Sequence, residues 1–323
     1  MVLFSTLFYS EINARIRARK SNLYSKTLFE KLLDLDKNEF YQNIGLEKDN
    51  NMSIFEIKKT ILGKYYNKAF SLCQKAPKAL SELMRFYLLK FPLEEYKAAL
   101  RISKENLSEY YGDKILFPSI SKALTNGAND LYKIKMFKNF KRFNLMVSKG
   151  ENVSVLEMEK ALDNDYFEIL HNKTKLFKGS ERRQIELFLG FYTDTEIIMN
   201  SLRLHFFYGL SADDCILGIL PLYNLKKEIL YNSLSKDNII ESMKVFADSR
   251  YSFLISAESI HDAEKMIKLK KIDIARNFLI KNQFNPGILF AYIWLLENEL
   301  EQIYAIIEAK LLGKIDIIRN NYV

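Results

Sequence analysis

Three histidines are the first side chains to consider for chemistry, because imidazole serves as a general base and as a metal ligand. His171, His205 and His261 lie in separate parts of the chain, without an HxxxH or HxE pairing and without a neighbouring cysteine. A metal centre or a nucleophile–base pair would require these side chains to converge from distant positions, and their spacing gives no sign of this. We therefore expect histidines with ordinary structural roles and no metal site.

Motifs that cradle phosphate or expose a nucleophile are also missing from the sequence. It contains no GxGxxG, GxxxxGKS/T or GxSxG, which excludes the common nucleotide-binding loops and nucleophile elbows. Cys73 and Cys215 stand far apart, in neither a metal-binding nor a redox spacing. They are expected to be buried thiols in a reducing compartment. The sequence thus predicts a protein without a cofactor and without catalytic residues of its own.

Residues 13–20 form the first of two basic stretches. If this stretch is helical, Arg15 and Arg19 lie on one face and Arg17 turns away from it. The formal net charge of +8 permits nucleic acid, an anionic membrane surface or an acidic protein as partner, without selecting one.

Residues 132–143 form the second basic stretch and interleave five cations with four aromatic rings. Rings among lysine and arginine are typical of a single-stranded nucleic-acid site. However, Met136, Phe140 and Phe143 have the i, i+4, i+7 spacing of a stripe that faces a core, with solvated lysines opposite. We prefer the core interpretation.

The elements that carry these side chains are predicted to be helices. Only 11 glycines and 5 prolines occur in 323 residues, of which 48% are hydrophobic. So few turn formers disfavour β-sandwiches, barrels and glycine-looped α/β folds. The apolar residues 1–10 lack the basic segment of a signal peptide, and charges interrupt every apolar run before the roughly 18 residues of a spanning helix. We expect a soluble all-α protein with long helices.

Short sequences recur at intervals of about a hundred residues. Residues 51–59 and 152–160 share Asn, Ser, Glu and the final Lys at an offset of 152 − 51 = 101. Residues 259–265 continue this series, and residues 115–118 resemble residues 218–221 in a further element. A constant order of recurring elements indicates related structural units.

A predicted amphipathic helix recurs in the same rhythm. Its apolar face consists of Leu89, Leu93, Tyr96 and Leu100 in the first copy, Phe191, Thr195, Ile198 and Leu202 in the second, and Leu296, Leu300, Ile303 and Ile307 in the third. The recurrence divides the chain into three helical units, residues 1–104, 105–208 and 209–323, which we expect to form one compact body.

One position of this helix is acidic in all three copies, at Glu94, Glu196 and Glu301. Pro92 suits the first position of a helix, which would place Glu94 in the first turn, where carboxylates are stabilising. Asp194 and Glu196, which follow Thr193, fit a first turn as well. Alternatively, the three carboxylates form a ring that faces a basic partner. The sequence leaves both interpretations open.

With this repeat in view, the sequence resembles the C subunit of the V/A-type rotary ATPases, which is related to the d subunit of the eukaryotic vacuolar enzymes. Residues 9–21 are close to the family's opening Y-x-N-A-R-I-R helix, and residues 156–166 are similar to its L-E-x-A-L-D-x-x-Y stretch. Residues 191–203 are like its Y-x-D-x-x-N-x-x-x-L-R helix, and residues 291–310 match its C-terminal part. The resemblance covers essentially the whole chain in order.

This sequence departs from the family pattern at several positions of the repeated helix. Pro92 replaces the usual acid in the first copy, and Glu95, Ile197 and Gln302 stand where asparagine is common. The departures leave the apolar faces intact.

The resemblance implies a funnel-like, all-α subunit with pseudo-threefold symmetry and no catalytic residues. It implies partners in the central-stalk axle and in the membrane rotor ring that moves protons or sodium ions. The protein would then lie peripherally on the cytoplasmic side of the membrane, contact the membrane only through the ring and bind no nucleic acid. Candidate partner-binding residues are Arg15, Arg17, Arg19, Glu94, Glu196 and Glu301.

Three other classes of protein remain as alternatives. A helical-repeat scaffold for protein interactions would also explain the recurring helices. A basic nucleic-acid-binding module would explain the charge, and a helical hydrolase would need the three histidines to converge.

Overall fold

The computed structural model describes residues 2–20, 23, 26–46, 52–104, 116–126, 134, 137–148, 153–216, 223–281 and 285–315. The helices are α1 (Val2–Lys20), α2 (Lys26–Asp34), α3 (Lys37–Asn43), α4 (Ile54–Cys73), α5 (Lys78–Tyr87), α6 (Lys90–Lys104), α7 (Pro118–Asn126), α8 (Lys141–Ser148), α9 (Val155–Thr174), α10 (Gly179–Phe206), α11 (Ala212–Ile216), α12 (Lys227–Leu234), α13 (Ile239–Lys244), α14 (Ile260–Lys281) and α15 (Gly287–Leu312), with a 3₁₀ turn at Ser252–Leu254. The described residues contain no strand, which confirms the all-α prediction. None of their helices combines the length and the apolar composition needed to cross a bilayer.

The serine of the first recurring sequence is a helix N-cap. At the start of α4, the Ser53 hydroxyl accepts from the Glu56 N–H, and the Glu56 carboxylate accepts from the Ser53 N–H at 2.7 Å. Ser154 and Glu157 form the same capping box at the start of α9. At the start of α14, the Ser259 hydroxyl accepts from the Asp262 N–H in the same way, but it donates to the Asp262 carboxylate, so only the serine half of the box is repeated. The recurring serine and acid therefore satisfy backbone donors that a helix start leaves unpaired.

The recurring amphipathic helices are α6, α10 and α15, and each buries the predicted face. The face residues within these helices are at most 9% exposed: Leu93, Tyr96, Leu100, Phe191, Thr195, Ile198, Leu202, Leu296, Leu300, Ile303 and Ile307. Leu89, which precedes α6, is half-buried. Burying these side chains is the main source of stability for such helices, since isolated helices are marginal in water.

The prediction that Glu94, Asp194 and Glu196 occupy first turns is wrong. Helix α6 begins two residues before Pro92, and Glu94 lies in its second turn. Asp194 and Glu196 lie well inside α10, and Glu301 lies well inside α15. Proline is tolerated near the start of α6 because the backbone N–H groups of a first turn have no partner within the helix.

The chain folds into two compact units. The first comprises Met1–Tyr9 and Asn139–Ala291, and the second comprises Ser10–Lys138 and Tyr292–Val323. Two of the three boundaries fall inside helices, one in α1 and one in α15, and the third lies between Lys138 and Asn139, before α8. The division into three units by sequence repeat and their threefold arrangement stay predictions.

Helix α10 is the centre of the first unit and contacts α9, α11, α12 and α14. The Phe188 ring of α10 meets the Phe278 ring edge-on at 4.9 Å and stacks on the Phe290 ring at 5.7 Å. A side chain at Gly287 would place its Cβ 2.4 Å from the Phe278 ring, so the start of α15 requires glycine. This aromatic cluster ties three helices of the unit together.

A buried polar network lies in the second unit between α5, α6 and α15. Trp294 Nε1 and Lys90 Nζ each donate to the Tyr87 hydroxyl at 2.9 Å. Lys90 also pairs with Glu297 at 2.5 Å, although both side chains are nearly buried. A buried ion pair with neutral hydrogen-bond partners fixes helix register more than it adds stability.

The described phenylalanines of the second basic stretch lie in the core, whereas Lys138 and Lys141 are exposed. Phe140 and Phe143 are buried, which confirms the core interpretation for these two rings. Arg142 pairs with Asp165 at 3.1 Å and with Glu168 at 2.5 Å. Met136 and the recurring element at residues 115–118 and 218–221 lie wholly or partly outside the described residues.

The N-cap of α4 can be tested by replacing Ser53 with alanine. We expect the free energy of unfolding to fall by about 1 kcal/mol, because the substitution leaves a helix N–H unpaired. Urea denaturation measures this loss. Ser180→Ala is the control, since Ser180 is an exposed serine inside the first turn of α10. An equal effect of the two substitutions would contradict the capping role.

The same variant predicts a pH dependence. Hydrogen bonds from the backbone and side chain of Ser53 lower the pKa of Glu56. A carboxyl with a lowered pKa stabilises the fold above its ordinary value of about 4.5 and loses this effect as the pH falls. The stability difference between wild type and Ser53→Ala therefore shrinks below about pH 4.

Candidate interaction site

The predicted arginines lie on α1, and each has a different environment. Arg15 is exposed and pairs with Glu11 at 2.8 Å. Arg17 is exposed, and its Nε donates to Asn13 Oδ1 at 3.2 Å. Arg19 instead reaches α4, where it donates to the Lys68 carbonyl and to the Ser71 hydroxyl. Arg15 and Arg17 are therefore the accessible arginines of the predicted set, while Arg19 attaches the helix to α4.

The predicted acids lie off the buried faces of their helices. The Glu94 side chain is 68% exposed and pairs with Lys97 at 2.9 Å, whereas the Lys97 side chain is only 8% exposed. Glu301 is exposed as well, and Glu196 is half-buried. The three carboxylates therefore share a register on the repeated helix without sharing the same degree of burial.

A carboxylate that the sequence predicted only as a first-turn acid is the centre of the first unit. Asp194 of α10 is fully buried. Its oxygens accept from the backbone N–H groups of Tyr223, Asn224 and Leu225 at 2.8–3.2 Å and from the Tyr251 hydroxyl. Burial raises the pKa of the Asp194 carboxyl, and the four donors oppose this rise. Asp194 thus anchors the loop before α12 to the central helix.

The anchored loop lies directly on the backbone of α10. A side chain at Gly190 would place its Cβ 2.9 Å from Asn224 Nδ2 and 3.0 Å from Tyr223 Cβ. Gly190 precedes Asp194 by one helical turn, so both residues face the loop. Glycine is therefore required for the loop to reach the carboxylate.

The second unit contains related anchors. Glu95 of α6 accepts from the backbone N–H groups of Leu116 and Phe117, each at 3.0 Å. Glu299 of α15 is buried and accepts from the Tyr65 hydroxyl. In all three helices a carboxylate on or beside the buried face binds donors from a neighbouring segment.

The positions of these anchors follow the sequence repeat. Asp194 and Glu299 are 299 − 194 = 105 residues apart and occupy the same register as Pro92. Proline cannot accept a hydrogen bond through its side chain, and Glu95, one turn later, binds the loop in that copy. The family that the sequence resembles usually has an acid at the position of Pro92. This expected acid was the one feature of the sequence that pointed to the anchor.

The histidines and cysteines are spread over separate elements. His171 lies against an aromatic ring, His205 Nδ1 is 2.7 Å from a backbone carbonyl, and His261 is exposed. Cys73 and Cys215 are buried free thiols, and burial raises the pKa of Cys73 to about 12. Within the described ranges, His, Cys, Asp and Glu side chains form no group of three or more that could hold a metal ion.

These features define an all-helical protein in which long helices, each with one buried face, carry carboxylates that hold neighbouring segments. The chain belongs to the ATP synthase (C/AC39) subunit family, whose model matches residues 12–321. It is 21% identical over 335 residues to the C subunit of the A-type ATP synthase of Methanocaldococcus jannaschii, which corresponds to 94% of this chain and 83% of that protein. The expected relationship to the C subunit of the rotary ATPases is confirmed.

The anchor predicts the effect of Asp194→Asn. An amide retains one acceptor oxygen but places an NH₂ group against backbone donors. We expect the free energy of unfolding to fall by about 2 kcal/mol, the scale of hydrogen bonds to a charged group. Asp248→Asn, at an exposed aspartate of the same unit, is the control and should change it by less than about 0.5 kcal/mol. Equal losses in thermal or urea denaturation would show that Asp194 is not an anchor.

Proposed function

We propose that the chain is the non-catalytic central-stalk subunit of a V/A-type rotary ATPase, where it couples the rotor axle to the ion-translocating membrane ring. The observation that supports this proposal most strongly is the match of the ATP synthase (C/AC39) subunit family to residues 12–321. The relative in Methanocaldococcus jannaschii is named as the C subunit of an A-type ATP synthase. On this proposal the protein is peripheral to the membrane, on its cytoplasmic side, and reaches the membrane only through the ring.

Close-packed helices suit a part that passes torque. Packed interiors have low compressibility and transmit strain, whereas loosely packed loops absorb it. The buried faces of α6, α10 and α15 give each compact unit such an interior. The anchors at Asp194 and Glu95 add fixed points where loops would otherwise move relative to these helices.

Charged side chains supply the proposed contacts with the partners. Arg15 and Arg17 are exposed on α1, and an acidic surface of the axle or the ring would complement them. Arg19 would act indirectly by holding α1 on α4. Glu94 and Glu301 are exposed acids that would meet basic partner surfaces. Glu196 is the third proposed partner-binding acid and is less accessible.

A charge-reversal variant tests these contacts. We expect Arg15→Glu/Arg17→Glu to weaken binding of the purified chain to the isolated axle or ring by about tenfold at low salt, since rim charges act through long-range attraction. The defect should shrink as ionic strength rises, because salt screens exposed charges. Binding is measured by pull-down and by surface-based kinetics at several salt concentrations.

Matched lysines of the first unit provide the control. Lys226→Glu/Lys227→Glu makes the same change of charge on exposed residues at the start of α12. Equal defects in the two variants would assign the effect to net charge and contradict a specific role of α1. Failure of the unaltered chain to bind either the axle or the ring would contradict the proposed function itself.

A further inference from the structure

A cavity opens in the first unit beside the Asp194 anchor. Its volume is about 160 Å³, and all of its lining residues belong to the first unit. The lining residues are Leu187, Phe191, Asn224, Arg250, Tyr251, Lys270 and Ile274. The cavity is therefore formed by α10, α14, the anchored loop and the 3₁₀ region.

The inner walls are apolar and aromatic. Leu187, Phe191 and Ile274 contribute apolar side chains, and the Phe191 and Tyr251 rings lie 6.5 Å apart. A cavity of about 150 Å³ with apolar walls is large enough to bind benzene. The volume of this cavity therefore fits one phenyl ring or an alkyl group of similar size.

Two of the lining residues, Arg250 and Lys270, are cationic. Arg250 and Lys270 are both exposed and line the cavity, and Lys270 Nζ lies 4.0 Å from Asp273 Oδ2. Asn224 Oδ1 accepts from Arg250 Nη1 at 2.7 Å, which fixes the guanidinium beside the opening. A guanidinium has five N–H donors in a planar fork that matches a carboxylate.

The buried carboxylate fixes the polar side of this cavity. Asp194 accepts from the Asn224 backbone and from the Tyr251 hydroxyl, so two lining residues are attached to the same group. Asn224 in turn positions Arg250. The opening is thus preorganised, which lowers the entropy lost when a ligand binds.

We propose that this cavity binds a carboxylate attached to a phenyl-sized apolar group, with the apolar group inside and the carboxylate between Arg250 and Lys270. The chemistry is the same whether the ligand is a small aryl carboxylic acid or the C-terminal aromatic residue of a polypeptide. This site does not depend on the coupling function, and either proposal can fail without the other.

The first experiment uses 3-phenylpropionate and its neutral amide. We expect the purified full-length chain to bind the acid with a Kd on the order of 1 mM, as befits a ligand of about eleven non-hydrogen atoms. The amide should bind at least about fivefold more weakly, because it lacks the charge that Arg250 and Lys270 recognise. Calorimetry measures affinity, and methyl NMR signals of Leu187 and Ile274 report the place of binding.

Charge variants with a matched control locate the carboxylate. Arg250→Gln and Lys270→Gln should each weaken binding of the acid by about fivefold and leave binding of the amide unchanged. Arg276→Gln removes an exposed cation of α14 that does not line the cavity, and should change neither. All three positions are exposed, and thermal denaturation checks that each variant remains folded.

A peptide that ends in phenylalanine identifies the source of the carboxylate. Tighter binding of the peptide than of 3-phenylpropionate, abolished by C-terminal amidation, assigns the site to a polypeptide terminus. Tighter binding of the free acid assigns it to a small molecule. No saturable binding of either carboxylate, equal binding of acid and amide, or equal losses in the Arg276→Gln control would overturn the proposal.

Discussion

A carboxylate buried in a packed helix must be met by hydrogen-bond donors, because an unpaired buried charge costs several kcal/mol. Asp194 imposes this constraint on the first unit. Its four donors come from residues 223–225 and from Tyr251, so the loop before α12 and the segment after α13 must both reach α10. Gly190 follows from the same constraint, since a larger residue would hold the loop away. The positions of these two segments on α10 and the glycine at position 190 are thus connected to one side chain.

The same constraint connects packing to the proposed role in torque transmission. The long helices are held by apolar burial, which has no preferred direction. Hydrogen bonds to a buried carboxylate are directional and fix where a segment lies along its helix. The Lys90–Glu297 pair and its Tyr87 neighbour add a directional contact in the second unit. Such contacts resist sliding of one element past another, as a torque-transmitting protein requires.

Local sequence patterns predict the parts of this structure that depend on neighbours along the chain. The i, i+3, i+4 spacing identifies the buried faces around Tyr96 and Ile198. The sequence also shows that Ser53 and Ser154 recur, and the structure explains this recurrence by their role as helix N-caps. The predicted start of α6, at Pro92, is two residues late, because proline is tolerated at more than one position of a first helical turn.

Asp194 and its partners could not be predicted, since its donors lie about thirty or more residues away. Nothing in a local pattern distinguishes a buried aspartate with four donors from an exposed one. The cavity between Phe191, Arg250 and Ile274 could not be predicted either, because residues from separate segments of the chain form it. Only the family resemblance, in which an acid is usual at the position of Pro92 in the first copy, pointed towards the anchor.

The proposed coupling role is tested most directly by measuring ion transport by the complex reconstituted in vesicles with and without this chain. Proton or sodium uptake driven by ATP, and ATP hydrolysis, would be measured in parallel. If the chain couples the axle to the ring, its omission abolishes ion uptake while hydrolysis by the catalytic head continues, and addition of the purified chain restores uptake. Undiminished ATP-driven uptake without the chain would contradict the claim that it couples the axle to the ring.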